Sequence, residues 1–301
     1  TLSDFGANGS LLSDDFASIA DAKSAYPSVA NHITSLDMTY NDLAFLLYKV
    51  WLGGSGEINL SNGTYNFNIA HDFSNYSIKC ASDVTIDFTN SIDSYGFKSR
   101  GTINAEVAVT SVDINTRVIT TSTAHNYSVG DWVRLKSMTR CDTPDAGAKW
   151  QLGAGTANAT PVYFAEPVQV QAVGTNTITV ARGFVFPHYS TTIDGKVATV
   201  TKMNFAHSEV LGNPTIVLPN KYFVAIEARY TKNSKFSVNF DTTVSAGTGI
   251  LLMYSMANSV TGTATRPVDW ELNKEDHSKF NTWKSVSGWY NEFDVVESGG
   301  S

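Results

Sequence analysis

The sequence predicts an all-β chain wound as a parallel solenoid, with a helical start and a small antiparallel β subdomain inserted near the first coils. Three observations carry this. Helical periodicity is confined to the first sixty or so residues. After Gly54 come short runs of alternating apolar and polar residues, ended by Asn, Ser, Asp or Gly. A weak register also recurs at 25 and about 20 residues: Asn-Ser-Lys-Phe at 233–236, Asn-Ser-Val at 258–260, His-Ser-Lys-Phe at 277–280. A period in the low twenties is one coil of three short strands. A β-sandwich with coincidental Asn-Ser turns is the competing reading.

Composition narrows the function. The chain has 301 residues and a formal charge of −7, so a basic groove for nucleic acid is not expected. Charged residues make up only 16%, against about 25% in ordinary domains. Polarity comes instead from Ser, Thr and Asn, 86 residues in all. Stacked coils align such side chains into hydrogen-bonded ladders. The best apolar run, Ala44 to Leu52, is short and broken by Lys49, so no membrane insertion is expected. Cys80 and Cys141 have no metal or redox spacing, the six histidines are scattered, and no zinc, phosphate-loop or nucleophile-elbow motif occurs. Neither a metal nor a cofactor is expected.

In chain order, residues 1–56 read as a helical cap. Ser13-Asp14-Asp15 offers a cap and first-turn acids ahead of Phe16, Ile19, Ala20 and Ala22. A second helix runs from Asn41, as N-cap, to Leu52. Asp42 suits its positive end, Leu43, Leu46, Leu47 and Val50 form its apolar stripe, and Gly53-Gly54 stops it. Residues 57–100 read as the first coils, with strands at 57–60, 64–69, 76–78 and 84–88. Residues 101–200 carry mostly longer strands at 107–112, 117–120, 131–136, 168–173 and 177–180, which suits a small barrel or sandwich. Arg140 to Pro161 reads as a long exposed loop. Short-strand text resumes over 201–301. A solenoid needs a cap at each end, so coils are expected to continue past the last residue.

Some of these residues resemble a known family. Asp4-Phe5-Gly6-Ala7, then Ser13-Asp14-Asp15 with Ala17 and Ile19, resembles the opening of pectate-lyase-like parallel β-helices. Gly53-Gly54, Glu57 to Leu60 and Ser61-Asn62-Gly63-Thr64-Tyr65 resemble that superfamily's glycine-rich stop, first strand and P-x-G-x-Y turn. Ser61 replaces the usual proline, and 23–41 is an extra segment. Within the superfamily, the inserted β region with its Val129-to-Leu135 strand and the neutral composition look like bacteriophage tailspikes and capsule depolymerases. The resemblance implies a right-handed parallel β-helix and a homotrimer. It implies a place in the virion tail beside other phage tail proteins, after folding in the host cytoplasm. It implies binding of bacterial capsular or O-antigen polysaccharide, with depolymerisation by glycosidic hydrolysis. A non-catalytic tail adhesin and a secreted polysaccharide lyase or pectinase are the alternatives.

Glycoside hydrolysis needs two carboxyl groups, about 5–5.5 Å apart for retention and about 6.5–9.5 Å for inversion. The densest acid-plus-aromatic stretch is the last one. Asp269, Glu271, Glu292 and Asp294 are therefore the candidate catalytic acids. Trp270, Trp289 and Tyr290 are candidates for stacking on sugar rings. Glu227 and Arg229 are further substrate-binding candidates, with a surface ion pair two apart on a strand as the plainer alternative.

Overall fold

The computed structural model describes residues 1–139, 162–184, 197–219, 221, 223–241, 248–253, 255–264, 281–286 and 292–297. The chain forms two compact units. One comprises Thr1–Gly101 with Phe205–Ser301, the other Thr102–Asn204.

The first unit starts with short helices. After 3-10 turns at Leu2–Phe5 and Leu12–Asp14 come α1 (Ile19–Ala25), a 3-10 turn at Pro27–His32 and α2 (Tyr40–Leu52). Helix α1 begins later than expected, because Ser18 caps it, accepting from Asp21 N at 3.2 Å. Asp14 instead accepts from Leu11 N at 3.0 Å, and Asp15 from the Tyr40 hydroxyl at 2.6 Å. In α2 the cap is Thr39, not Asn41. Thr39 Oγ1 accepts from Asp42 N at 3.1 Å, and Asp42 Oδ2 accepts from Thr39 N at 2.8 Å. That reciprocal box requires the acid three residues after the cap, which fixes the start at Thr39. Most of the expected apolar stripe is packed, but α2 has a second apolar face. Leu43 and Leu46 pack with Leu12, Val29, Ile33 and Met38 of the preceding segment, while Ala44, Phe45 and Tyr48 belong to the core of the strands. Val50 is exposed. The extra segment gives α2 a second apolar neighbour, which a one-stripe reading omits.

The strands follow in coils. β1 (Gly56–Leu60), β2 (Gly63–Asn66) and β3 (His71–Asp72) precede β4 (Tyr76–Cys80), β5 (Val84–Asp87) and β6 (Tyr95–Arg100). The second unit then contributes β7 (Thr102–Ile103), β8 (Val107–Asp113), β9 (Val118–Thr121), β10 (Trp132–Thr139), β11 (Val162–Val173), β12 (Thr177–Val180) and β13 (Thr199–Asn204). The first unit resumes with β14 (Glu209–Leu211), β15 (Thr215–Val217), β16 (Val224–Arg229), β17 (Lys235–Asp241), β18 (Thr248–Met253), β19 (Ser259–Ala264), β20 (Asn281–Val286) and β21 (Glu292–Glu297).

Among the described residues, all strand pairs of the first unit are parallel. One sheet runs β1-β4-β14-β17-β19-β21, with β2, β5 and β15 extending it beside β17; the other runs β3-β6-β16-β18-β20. The chain visits the two sheets alternately, so each pass lays one coil on the last. Lys235 pairs with Ser259 and Ser259 with Glu292, spacings of 24 and 33 residues. The repeated text therefore aligns as Ser234 beside Asn258, one residue off the match seen in sequence, and the third repeat, 277–280, lies outside the described residues.

In-register columns fill the core: Ile58, Ile78, Val210, Phe236 and Val260 in the first sheet, Phe97, Ile226 and Ile250 in the second. Buried polar ladders hold one corner. Ser208 N donates to Ser234 Oγ at 3.0 Å, Ser234 N to Asn258 Oδ1 at 2.8 Å, and Thr231 Oγ1 to Ser255 Oγ at 3.0 Å. These bonds satisfy backbone groups that buried turns would otherwise orphan. Two glycines mark close approaches between coils. A Cβ on Gly212 (φ +96°) would lie 2.1 Å from Cys80 O, and one on Gly262 (φ +151°) 1.6 Å from Val238 O.

In the second unit, β10-β11-β12-β9-β8-β13 form an antiparallel sheet closed by pairing of β10 with β13, and β7 adds to β13. Its core comprises Val109, Ile119, Val133, Leu135, Val168, Val170, Ile178, Val180 and Val200 among others. The expected loop at 140–161 lies outside the described residues.

Candidate functional site

Strand alternation leaves every second side chain of a coil on its outer face. On the first sheet, one outer row is Glu57, Ser77, Glu209, Lys235 and Ser259, and another is Thr64, Thr85, Thr215, Asn239 and Thr263. Ser77 Oγ donates to Glu209 Oε2 at 3.1 Å. Asn239 Oδ1 accepts from Thr263 N at 3.1 Å and from Thr263 Oγ1 at 2.8 Å. Such a face presents hydroxyl, amide and carboxylate groups at the roughly 4.8 Å strand spacing, which suits hydrogen bonding to a long hydroxylated chain.

The second sheet carries a charge cluster. Phe97 of β6 and Ile226 of β16 point into the core. Lys98 therefore stands beside Glu227 on the other face, and Arg100 beside Arg229. The Glu227 side chain is fully buried. Its Oε2 accepts from Arg100 Nε at 2.8 Å and also from Arg100 Nη2, and its Oε1 accepts from Arg229 Nη2 at 2.8 Å. The plainer expectation of a surface Glu227–Arg229 pair is thus corrected. The carboxylate is buried on that outer face and holds two arginines, whose side chains are 41% and 38% exposed. Sequence reasoning missed Arg100 for two reasons. Tyr-Gly-Phe-Lys-Ser-Arg lacks β-branched residues, and its partner strand lies across the inserted unit.

The other candidates fall differently. Asp269, Trp270, Glu271, Trp289 and Tyr290 lie outside the described residues. Glu292 and Asp294 stand two apart on β21, in register with Ser259 and Thr261. The residues paired with them on the neighbouring strand are therefore those two hydroxyls.

A second buried polar contact is structural. His71 Nε2 lies 2.7 Å from Asp42 Oδ1, with both side chains fully buried. Asp42 also accepts from Thr39 N and Asn68 N, at 2.8 and 3.1 Å. The His71 ring packs among Phe45, Phe67 and Phe97. No solvent reaches it, so it ties the start of α2 to the first coil. Among the described residues no group of three or more His, Cys, Asp or Glu is placed to hold a metal ion.

No known family model matches the sequence, and no curated protein does. Solved structures do match. The fold is similar to the tailspike gp61 of Pseudomonas phage phi297, with a TM-score of 0.65 and 14% identity, covering 98% of this chain and 48% of that one. It is similar also to the tailspike gp49 of Pseudomonas phage LKA1, with a TM-score of 0.58 and 17% identity, covering 88% and 42%. The chain thus spans less than half the length of either tailspike. What it shares with them is the fold, an all-β body of parallel sheets.

Proposed function

We propose that this chain is part of a bacteriophage tailspike that binds bacterial capsular or O-antigen polysaccharide. The observation that carries the reading is the likeness of fold to a tailspike over 98% of the chain. The neutral, hydroxyl-rich outer face of the coils supports it. In this reading the coils form a right-handed parallel β-helix closed at its start by α2. The chain assembles as a homotrimer in the virion tail beside other tail proteins. Depolymerisation is hydrolytic, with Asp269, Glu271, Glu292 and Asp294 as its acids and Trp270, Trp289 and Tyr290 as stacking surfaces. Residues two apart on a strand, such as Glu292 and Asp294, are about 6.6 Å apart, within the range inversion requires.

Purified protein incubated with capsules and O-antigens from a panel of bacterial hosts tests this. Binding to one of them, with new reducing ends, is the expected result. Binding without chain shortening removes hydrolysis and leaves an adhesin; binding to none removes the polysaccharide reading. Light scattering tests the trimer, and a monomer mass counts against it for this chain.

A further inference from the structure

Among the described residues, the most exposed large hydrophobic side chain is Trp51, at 69%. It stands near the end of α2, two residues before the Gly53 cap. The ring is braced. Phe5 lies 6.0 Å from it, centre to centre, tilted by 58°, and Tyr48 lies 5.8 Å away, tilted by 56°. Phe5 and Tyr48 are themselves stacked, 4.6 Å apart and 19° from parallel. The indole is thus held by two rings while most of it stays in solvent, and it has little ordering entropy left to lose on binding.

Its surroundings are polar. The Tyr48 hydroxyl accepts from Asn59 Nδ2 at 3.4 Å. Ser3, from the same turn as Phe5, lies with its hydroxyl oxygen 3.4 Å from that of Ser61. Ile58 and Leu60 of β1 are buried in the core, so Glu57 and Asn59 stand on the outer face. That face continues onto the next coil as Ser77 and Lys79. An aromatic platform therefore adjoins the first coil of the hydroxyl, amide and carboxylate rows.

Size decides what such a platform fits. A fully exposed aromatic side chain offers at most about 250 Å², so Trp51 presents roughly 170 Å². Val50, its neighbour in the helix, is 51% exposed and adds less than that. A stable protein interface takes about 800 Å² from each partner, several times more. A single sugar ring matches the platform. Its C–H groups pack on an aromatic face, and its hydroxyls need donors and acceptors close by.

We propose that Trp51 is a sugar-stacking subsite beside the first coil, where one pyranose ring of the polysaccharide lies on the indole with Asn59 within its hydrogen-bonding surroundings. Phe5 and Tyr48 are its positioning residues. The inference rests on the polysaccharide-binding reading above and adds a contact residue far in sequence from the stretch 269–294.

The test uses the capsule or O-antigen that the protein binds in the host panel. Trp51 is oxidised briefly and its modification read by peptide mass mapping, with and without the polymer. Affinity is measured for the wild type, Trp51→Ala and Trp51→Phe, with folding checked by circular dichroism and mass by light scattering. Trp51 is expected to react readily in the free protein and to be protected by the polymer. Trp51→Ala is expected to weaken binding about tenfold, and Trp51→Phe by less than about threefold, because a phenyl ring keeps a face to stack on. Should Trp51→Ala fail to fold, protection of Trp51 in the wild type decides in its place. A Trp51 unreactive in the free protein is covered by protein and overturns the subsite. Equal reactivity with and without bound polymer overturns it too, as does equal affinity of folded Trp51→Ala and wild type. A Trp51→Ala protein that loses binding together with the wild-type mass marks an interface between copies and also overturns it. Each of these leaves the receptor role standing. Binding to no polymer in the panel overturns the receptor reading, and the subsite with it.

Discussion

Replacing Asp42 with alanine tests the link between the helical start and the first coil. Its carboxylate lies in the interior and accepts from Thr39 N, Asn68 N and His71 Nε2 within 3.1 Å, and more weakly from Ile69 N at 3.4 Å. Alanine leaves three short-range donors without a partner. Each buried unsatisfied donor costs about 1–3 kcal/mol, so with partial relaxation the loss is roughly 3–6 kcal/mol. For a unit of about 200 residues, that lowers the melting temperature on the order of 10 °C. Asn at 42 keeps an acceptor for Thr39 N and Asn68 N but turns an amide toward His71, so about 1–2 kcal/mol is expected. Thermal melts followed by circular dichroism measure both, and hydrogen exchange at Asn68 N reports the site itself. A melting temperature for Asp42→Ala within about 2 °C of wild type, with Asn68 N still protected, would refute the reasoning.

Two further outcomes follow from the coils. Gly262→Ala would bring a Cβ against Val238 O, closer than any real contact allows, so a loss above about 3 kcal/mol in urea unfolding is expected, and an unchanged midpoint would show the coils can separate there. The thiol of Cys80 is buried, and burial pushes its pKa up from 9.0 to about 12. Native protein at about pH 8 should leave Cys80 unalkylated by peptide mapping, and urea should expose it. Because the folded pKa is the higher one, this thiol's contribution is intact below 9.0 and is lost as pH rises from there towards about 12. Rapid native labelling would contradict that burial.

The coil rhythm was legible because a strand's period of two is a local property. The strands expected at 57–60 and 84–88 match those observed to within a residue. Helix ends were less legible. Thr39, not Asn41, caps α2, because the deciding bond comes from Asp42 reaching backwards. The α2 stripe of Leu43, Leu46 and Leu47 was legible, but its second apolar face, Ala44, Phe45 and Tyr48 against the strands, was not.

The cluster around Glu227 was half legible. Glu227 and Arg229 stand two apart in sequence, whereas Arg100 joins them only through pairing of β6 with β16 across the inserted unit. The sequence alone determined that this protein is β-rich, neutral-polar and coiled, since composition and short-range alternation need no partner. The tertiary structure alone decided which residues of different coils meet, because register is set by packing of whole turns and by glycines where backbones touch. That is why Glu227 is buried between two arginines rather than paired with one at the surface.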